Sequence, residues 1–157
     1  MALTVGDAAP DFTLPDSLGS DTRLSDFAGR WVVLWWFPKA KSKGCTLQAR
    51  GVDALAREFA DAPVEFVGIS YDPPKVNREF CLESAAAVTF LSDASAEAAE
   101  RYGTKRGSEE QFSGAPRRMT FIIDPDQRIR RIFTVQDVSA HADEVRGVLI
   151  EALKSNV

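Results

Sequence analysis

The sequence contains few of the residues that build metal sites and disulfide frameworks. Its 157 residues include two cysteines, one histidine and two methionines. Cys45, Cys81 and His141 lie too far apart in the chain for the ligand spacing of a Cys/His zinc site. No Cys-x-x-Cys sequence is present, which argues against the redox site of a dithiol reductase. We therefore expect no metal ion and no other cofactor.

Excess positive charge and long apolar runs are also lacking. Lys and Arg total 19 against 23 Asp and Glu, a net charge of −4, which argues against binding to nucleic acid or to an anionic membrane surface. The longest apolar run, 31–37, is far too short to span a bilayer. The first residues, MALTVGDAAPDF, have neither the basic nor the apolar region of a signal peptide. We expect a cytoplasmic protein whose cysteines are reduced or redox-active.

The stretch 32–47, VVLWWFPKAKSKGCTL, is the most informative part of the sequence. Its β-branched and aromatic first half is typical of a strand that is buried on both faces. Pro38 ends that strand, a short loop follows, and Cys45 opens a segment with helical periodicity. At a helix N-terminus, unpartnered N–H groups and the helix dipole stabilise a thiolate relative to a thiol. The stretch therefore predicts a reactive cysteine.

The order of predicted elements indicates one domain over residues 1–157. A turn-rich N-terminal segment predicts a β-hairpin, and Gly51 weakens the helix over 45–61 by about 1 kcal/mol relative to alanine. The remaining predictions, in chain order, are a strand at 64–70, a helix from residue 72, a strand at 89–91, a helix capped by Ser95 and ended by Gly103, a surface loop over 104–116, a hairpin of strands at 119–123 and 128–133, and a helix over 139–154. This α/β order resembles a thioredoxin-like fold, with a mixed central sheet, helices on both faces and an N-terminal β-hairpin extension.

Pro38, Ser42 and Cys45 form the pattern Pro-x-x-x-Ser-x-x-Cys. It resembles the active-site pattern of the peroxiredoxins, Pro-x-x-x-Thr/Ser-x-x-Cys, and its place between an apolar strand and a helix strengthens the likeness. Further similar segments are GDAAPDF at 6–12, VGIS at 67–70, FLSD at 90–93 and RMTFIID at 118–124. The resemblance covers nearly the whole chain and is closest to the Q-type subfamily, also called bacterioferritin comigratory protein.

The resemblance implies a thiol-dependent peroxidase that reduces hydrogen peroxide and organic hydroperoxides. Cys45 falls on the peroxidatic cysteine, which attacks the terminal peroxide oxygen and becomes a sulfenic acid. Ser42 falls on the residue whose hydroxyl orients the peroxide, and Pro38 on the proline that shields the thiolate. Arg118 falls on the arginine that holds the thiolate and the substrate oxygen. The backbone N–H groups of Gly44 and Cys45 complete the set of expected donors.

Two positions depart from the common subfamily pattern. Lys43 stands where many members have proline, so that an additional positive charge lies near the thiol. Arg50 occupies the position of one version's resolving cysteine, whereas Cys81 fits another version with that cysteine in the next helix. The resemblance then implies an intrachain Cys45–Cys81 disulfide, a thioredoxin-type dithiol reductant and a monomer.

Several alternatives remain open at this level. Cys81 follows Phe80 on an amphipathic segment and could be a core residue, which would leave a one-cysteine peroxidase resolved by an external thiol. The chain could also be a non-catalytic thioredoxin-fold binding module. Ser42 could act only as a helix cap, and Arg118 could be a surface charge. Strand alternation directs the neighbouring Arg117 to the opposite face. His141 is expected to be solvated and is assigned no role.

Overall fold

The computed structural model describes residues 3–155, which form seven strands, four α-helices and a 3-10 helix. The strands are β1 (Thr13–Pro15), β2 (Asp21–Arg23), β3 (Trp31–Trp36), β4 (Val64–Ser70), β5 (Thr89–Ser92), β6 (Met119–Ile123) and β7 (Ile129–Thr134). The helices are α1 (Lys43–Glu58), α2 (Pro74–Ser84), α3 (Glu97–Tyr102) and α4 (His141–Ser155), and the 3-10 helix spans Leu24–Phe27. Within the described residues, no helix is long and apolar enough to cross a bilayer.

A five-stranded mixed sheet has the order β5-β4-β3-β6-β7, with β3 at its centre. β3 and β5 run parallel to β4, whereas β6 is antiparallel to both β3 and β7. Trp36 at the end of β3 pairs with Met119 at the start of β6. The segment leaving β3 and the segment entering β6 therefore lie at the same edge of the sheet. β1 and β2 form a separate hairpin, as predicted.

Apolar clusters cover both faces of the sheet, which explains why all six residues of β3 are buried. The cluster on the face of α1, α2 and α4 includes Trp35, Phe37, Cys45, Phe80 and Leu149. The cluster on the face of α3 and the β1–β2 hairpin includes Leu14, Leu34, Trp36, Tyr102 and Phe121. The neighbouring Trp35 and Trp36 are thus core residues on opposite faces of the sheet, as expected from alternation along a strand.

α1 contains a glycine because α4 passes close to it. A Cβ on Gly51 would lie 3.2 Å from the Cβ of Ala142 in the first turn of α4. The loss of helix propensity at Gly51 is therefore offset by close packing of the two helices.

Two predictions at helix N-termini were wrong. Ser95 does not cap α3, because the cap position is Ala96 and it has no side-chain cap hydrogen bond. The buried Asp93 carboxylate instead accepts hydrogen bonds from the N–H groups of Ala98 and Ala99, at 3.3 Å and 2.8 Å. His141 is not solvated but 1% exposed. Its Nε2 lies 2.8 Å from the Thr120 hydroxyl, since α4 packs its first turn onto the sheet.

Candidate active site

Cys45 lies in the first turn of α1, where the sequence predicted a reactive thiol. Its side chain is 1% exposed. Ser42 is the N-cap residue, and its hydroxyl oxygen accepts a hydrogen bond from the Cys45 N–H at 3.4 Å. The same hydroxyl donates to the carbonyl of Lys39 at 2.9 Å. Ser42 therefore joins the loop to the helix and places its hydroxyl beside Cys45.

The loop between β3 and α1 is fastened to the start of the next helix. The Ala40 N–H donates to the Asp72 carboxylate at 2.7 Å. Lys41 has a left-handed backbone, with φ of 68°, and its ammonium group lies 2.6 Å from Glu79 of α2. That ion pair is exposed and adds little stability, but the buried end of the loop at Ala40 is held by a charge-assisted hydrogen bond. Pro38 is half-buried where the loop begins.

Arg118 reaches the first turn of α1 from the edge of the sheet. Its Nη1 donates to the Gln48 side-chain oxygen at 2.6 Å. Its Nη2 lies 3.3 Å from the position that a Cβ on Gly44 would occupy. The antiparallel pairing of β3 with β6 produces this contact, because it places Arg118 beside the chain that leaves β3. The guanidinium therefore adds positive charge at the N-terminus of the helix that carries Cys45.

Gln48 belongs to this site although sequence reasoning assigned it nothing. Its side chain is 2% exposed and its amide nitrogen has no hydrogen-bond partner among the described residues. It follows Cys45 by three positions, so both side chains lie on one helix face. The sequence does contain one indication of this role, since Gln48 is a polar residue on the helix face that otherwise carries apolar side chains.

Arg117 directs its hydrogen bonds to the segment at 103–110 and not to α1, in agreement with strand alternation. Its Nη1 donates to the carbonyls of Gly103 and Lys105, both at 3.2 Å. Its Nη2 forms a bidentate pair with the Glu110 carboxylate at 2.6 Å and 2.7 Å. Arg117 thus holds the loop over 104–116 against the sheet, next to the edge from which Arg118 departs.

Cys81 lies half-buried in α2 and is not joined to Cys45, since both cysteines are free. Its sulfur lies 3.4 Å from the carbonyl oxygen of Ala85 and 3.5 Å from that of Val88. Burial raises the pKa of the Cys81 thiol, and the negative charge of Asp53 raises it further. The thiol is therefore kept protonated and engaged with carbonyls beyond the end of its own helix.

A cavity of about 600 Å³ opens beside the site, and Pro38 and Arg118 are among the residues that line it. A cavity of similar size, about 620 Å³, lies at Trp31 and α4. Trp31 begins β3 whereas Pro38 follows its end, so the second cavity lies at the opposite edge of the sheet from Cys45. Among residues 3–155, no three His, Cys, Asp or Glu side chains are grouped so that they could hold a metal ion.

The sequence matches the AhpC/TSA family model over residues 5–132. The chain belongs to this family, among the peroxiredoxins of the Bcp and Q type. It is 36% identical over 153 residues to peroxiredoxin Bcp of Escherichia coli (strain K12), which covers 95% of this chain and 97% of that relative.

Solved structures agree with this assignment. The crystal structure of peroxidoxin BcpB from Mycobacterium tuberculosis matches with a TM-score of 0.80 at 35% identity, over 90% of this chain and 93% of that one. The bacterioferritin comigratory protein of Xanthomonas campestris, studied for its alkyl peroxide reduction activity, matches with a TM-score of 0.84 at 25% identity, over 96% and 97%. The predicted thioredoxin-like fold is confirmed, and the chain is a peroxiredoxin, a thiol-dependent peroxidase.

Proposed function

We propose that Cys45 is the peroxidatic residue of this peroxiredoxin and that Ser42, Arg118 and the first turn of α1 assist it. The observation that carries the proposal is the position of the Arg118 guanidinium, which comes from a distant strand to lie against Gly44 and Gln48. A partly buried cation at the N-terminus of a helix favours negative charge on a cysteine in its first turn and on an oxygen attached to that cysteine.

The reaction begins with attack of the Cys45 thiolate on the terminal oxygen of the peroxide. The O–O bond breaks, the thiolate becomes a sulfenic acid, and the leaving oxygen takes a proton and departs as water or an alcohol. Negative charge spreads over both oxygens as the bond lengthens. Arg118 and the N–H groups of Gly44 and Cys45 are placed to stabilise it. The Cys45 N–H is only weakly engaged by Ser42, at 3.4 Å, and so can turn to a substrate oxygen.

Ser42 and Pro38 position the substrate in this proposal. The Ser42 hydroxyl can accept a hydrogen bond from the protonated peroxide oxygen and thereby orient it for attack. Pro38 forms the wall between the loop and the cavity beside Arg118. An apolar wall there limits the access of water to the reacting atoms.

We further propose that Cys81 resolves the sulfenic acid. Its thiolate attacks the Cys45 sulfur, a disulfide forms and hydroxide leaves as water after protonation. A thioredoxin-type dithiol then reduces the disulfide. A disulfide needs its two Cα atoms within about 7 Å, and the Cys81 sulfur is engaged with the carbonyls of Ala85 and Val88. The step therefore requires local unwinding around one cysteine or both.

One observation favours the alternative of a one-cysteine enzyme. Cys81 is half-buried and its pKa is raised, mainly by burial, which is also typical of an unreactive core cysteine. Intact mass measurement after one equivalent of hydrogen peroxide separates the two mechanisms. Wild type should lose about two mass units as the disulfide forms, whereas Cys81→Ser should gain about 16 as sulfenic acid. Cys45→Ser should remain unchanged.

Other outcomes of the mass experiment, and of a peroxide-consumption assay on the same proteins, contradict specific parts of the proposal. Persistent sulfenic or sulfinic acid in wild type would show that Cys81 is not the resolving cysteine and would favour resolution by an external thiol. Undiminished peroxide consumption by Cys45→Ser would remove Cys45 from the mechanism and leave open a non-catalytic role for its loop.

We also propose a cytoplasmic monomer that binds neither nucleic acid nor membranes. Resolution by Cys81 of the same chain needs no second subunit, and the net charge of −4 does not favour polyanions. Light scattering of the reduced and oxidised protein tests the oligomeric state. Cell fractionation and a gel-shift assay with DNA and RNA test the rest.

A further inference from the structure

The sequence around Cys45 contains basic residues but no acidic ones. Between Asp26 and Asp53 no Asp or Glu occurs, although the chain contains 23 of them, and five Lys or Arg residues lie in that interval. Lys43 and Arg50 belong to α1 and are exposed. Neither forms an ion pair within the part of the chain that the structure describes. A protein of net charge −4 thus carries unpaired positive charge on the helix of its reactive cysteine.

These two cations share one face of α1 with an exposed leucine. Lys43, Leu47 and Arg50 follow the spacing i, i+4 and i+7, which places their side chains in a row along the helix. Leu47 is 51% exposed, whereas the opposite face of the helix, which includes Cys45 and Val52, is buried. The three residues form the α1 row, which faces solvent and is available to a partner.

A second exposed leucine adjoins the other cysteine. Leu82 directly follows Cys81 in α2 and is 68% exposed. The two helices are joined near this point, since the Asp53 carboxylate of α1 accepts a hydrogen bond at 2.8 Å from the Ala87 N–H, just beyond α2. Each of the two cysteines thus has an exposed leucine within two positions of it. Exposed apolar side chains with a charged rim are typical of protein–protein interfaces.

The regeneration step of the proposed function brings a dithiol protein to this region. One thiolate of that protein attacks a sulfur of the Cys45–Cys81 disulfide, a mixed disulfide forms, and the other cysteine of this chain leaves as a thiolate. The partner's second thiol, once deprotonated, attacks the mixed disulfide. Two electrons pass to this chain, both of its cysteines recover their protons, and the partner leaves as a disulfide. Because the sulfurs must come into bonding contact, the surface of the partner lies against residues next to the two cysteines.

We propose that the α1 row and Leu82 form the docking surface for the dithiol reductant, and that this reductant carries carboxylates around its own redox cysteines. Arg50 lies about 7.5 Å from Cys45 along the axis of α1, well within an interface that buries about 800 Å² on each partner. Leu47 and Leu82 supply apolar contact, whereas Lys43 and Arg50 attract and orient an acidic partner. The inference rests on the proposed function.

The test measures peroxide consumption at saturating hydrogen peroxide while the concentration of the reductant is varied. Two thioredoxins, kept reduced by their reductase, are compared: one has acidic and the other basic residues around its dithiol. Dithiothreitol is the third reductant, since a small neutral dithiol needs no docking surface. Arg50→Glu should lower kcat/KM for the acidic thioredoxin about tenfold at low ionic strength and raise it for the basic one. Leu47→Ala should lower kcat/KM about threefold for both thioredoxins. Neither variant should change turnover with dithiothreitol.

Control variants alter matching side chains away from the α1 row. Arg131→Glu reverses an exposed cation of β7, at the opposite edge of the sheet from Cys45. Leu18→Ala truncates an exposed leucine in the turn between β1 and β2. Both should behave as wild type with every reductant. Arg50→Lys should keep most of the activity with the acidic thioredoxin, because it keeps the charge. Added sodium chloride should lower kcat/KM for that thioredoxin more in wild type than in Arg50→Glu.

Each remaining outcome contradicts an identifiable part of the proposal. Equal losses with dithiothreitol and thioredoxin in Arg50→Glu or Leu47→Ala would show that the substitution disturbs the active site and would overturn the docking role. Wild-type values in both variants would overturn the α1 row as the docking surface. An equal effect of Arg50→Glu on the two thioredoxins would overturn the acidic partner. Wild-type turnover with dithiothreitol but with neither thioredoxin would overturn the partner and leave the proposed role of Cys45 intact, whereas no turnover with any reductant would contradict that role as well.

Discussion

Asp53 of α1 is predicted to control how readily Cys81 becomes available. Its carboxylate accepts a hydrogen bond from the Ala87 N–H at 2.8 Å. Ala87 lies in the turn whose carbonyls, at Ala85 and Val88, contact the Cys81 sulfur. The carboxylate also raises the pKa of the Cys81 thiol, in addition to the effect of burial. Asp53→Ala therefore loosens the turn and makes the thiol easier to ionise.

The size of the effect follows from the single hydrogen bond that is lost. A hydrogen bond to a charged group contributes about 1.5–3 kcal/mol, and the exposed position of Ala87 reduces this to about 1 kcal/mol. If that free energy opposes opening of the turn, its loss raises the open population about fivefold. Removing the Asp53 charge also takes away one of the two causes that raise the pKa of the Cys81 thiol, burial being the larger, and this acts in the same direction because the thiolate is the reactive form.

Thiol alkylation in a Cys45→Ser background measures this availability directly, because Cys81 is then the only cysteine. Asp53→Ala should react about fivefold faster than the background protein. Asp53→Asn, which removes the charge but keeps an acceptor, should fall between them. Arg57→Gln is the control, since it removes only the exposed partner at 2.9 Å on the other carboxylate oxygen. Alkylation of Asp53→Ala at the background rate, with the fold intact by circular dichroism, would refute the reasoning.

Three further predictions concern the core at Gly68, the buried His141, and the contact of Gln48 with Arg118 in the site. Gly68→Ala should lower the free energy of unfolding in urea by about 1–3 kcal/mol, because the new Cβ would lie 2.8 Å from the Trp35 ring and 3.0 Å from the Phe90 ring. Gly147→Ala in α4 is the control: this glycine is exposed, a Cβ there would meet no atom within 4 Å, and the substitution should not lower the free energy of unfolding. Burial lowers the pKa of His141, against the opposing effect of Glu144, so the neutral form is favoured in the folded protein. The stability that neutral His141 contributes is therefore present above the unfolded pKa of about 6.5. It is lost as the pH falls below that value, because the unfolded state then binds a proton that the folded state does not. His141→Gln should therefore flatten the decline of the urea midpoint between about pH 7 and pH 5, and an unchanged slope would contradict the assignment. Gln48→Ala should lower kcat/KM for hydrogen peroxide about tenfold, because Arg118 loses the hydrogen bond that holds its guanidinium in place. Gln48→Glu keeps a hydrogen-bond acceptor for Arg118 and should retain more activity. Equal losses in the two variants would speak against a positioning role for Gln48.

Local sequence determines much of the fold and half of the candidate site. All six residues of β3 are apolar, so both faces of this strand have to be covered, and Pro38 cannot continue the strand because it has no N–H group to donate. Ser42 is an N-cap residue by its chemistry, so the position of Cys45 in the first turn of α1 follows from residues within eight positions. These features depend on neighbours in the chain, which the sequence displays directly.

The features that sequence reasoning missed depend on residues far apart in the chain. Gln48 receives its role from Arg118, 70 positions away, and only the pairing of β3 with β6 brings the two together. His141 is buried because α4 packs onto Thr120, which no local pattern reveals. Asp93 replaces Ser95 as the cap of α3 because a buried carboxylate after β5 reaches over the intervening turn.

The C-terminal turn of α2, rather than the first turn of α1, should open when the disulfide forms. The N-terminal half of α2 is anchored by Asn77, which is fully buried and hydrogen-bonded to Ser70 and Ser92, both at 3.1 Å. Cys81 lies beyond that anchor, and the next residue, Leu82, is 68% exposed. The last turn of α2 also carries the exposed Glu83, and no side-chain anchor like that of Asn77 is found in it among the described residues, so we expect it to have the lower cost of local unfolding.

The first turn of α1 is held more firmly. Ser42 caps it, and the Arg118–Gln48 hydrogen bond ties it to the sheet. Hydrogen exchange of the reduced and disulfide forms should therefore show lost protection over 82–88 and retained protection over 43–48. The reverse pattern would place the opening at Cys45, and the substrate contacts of Arg118 would then have to be rebuilt in every catalytic cycle.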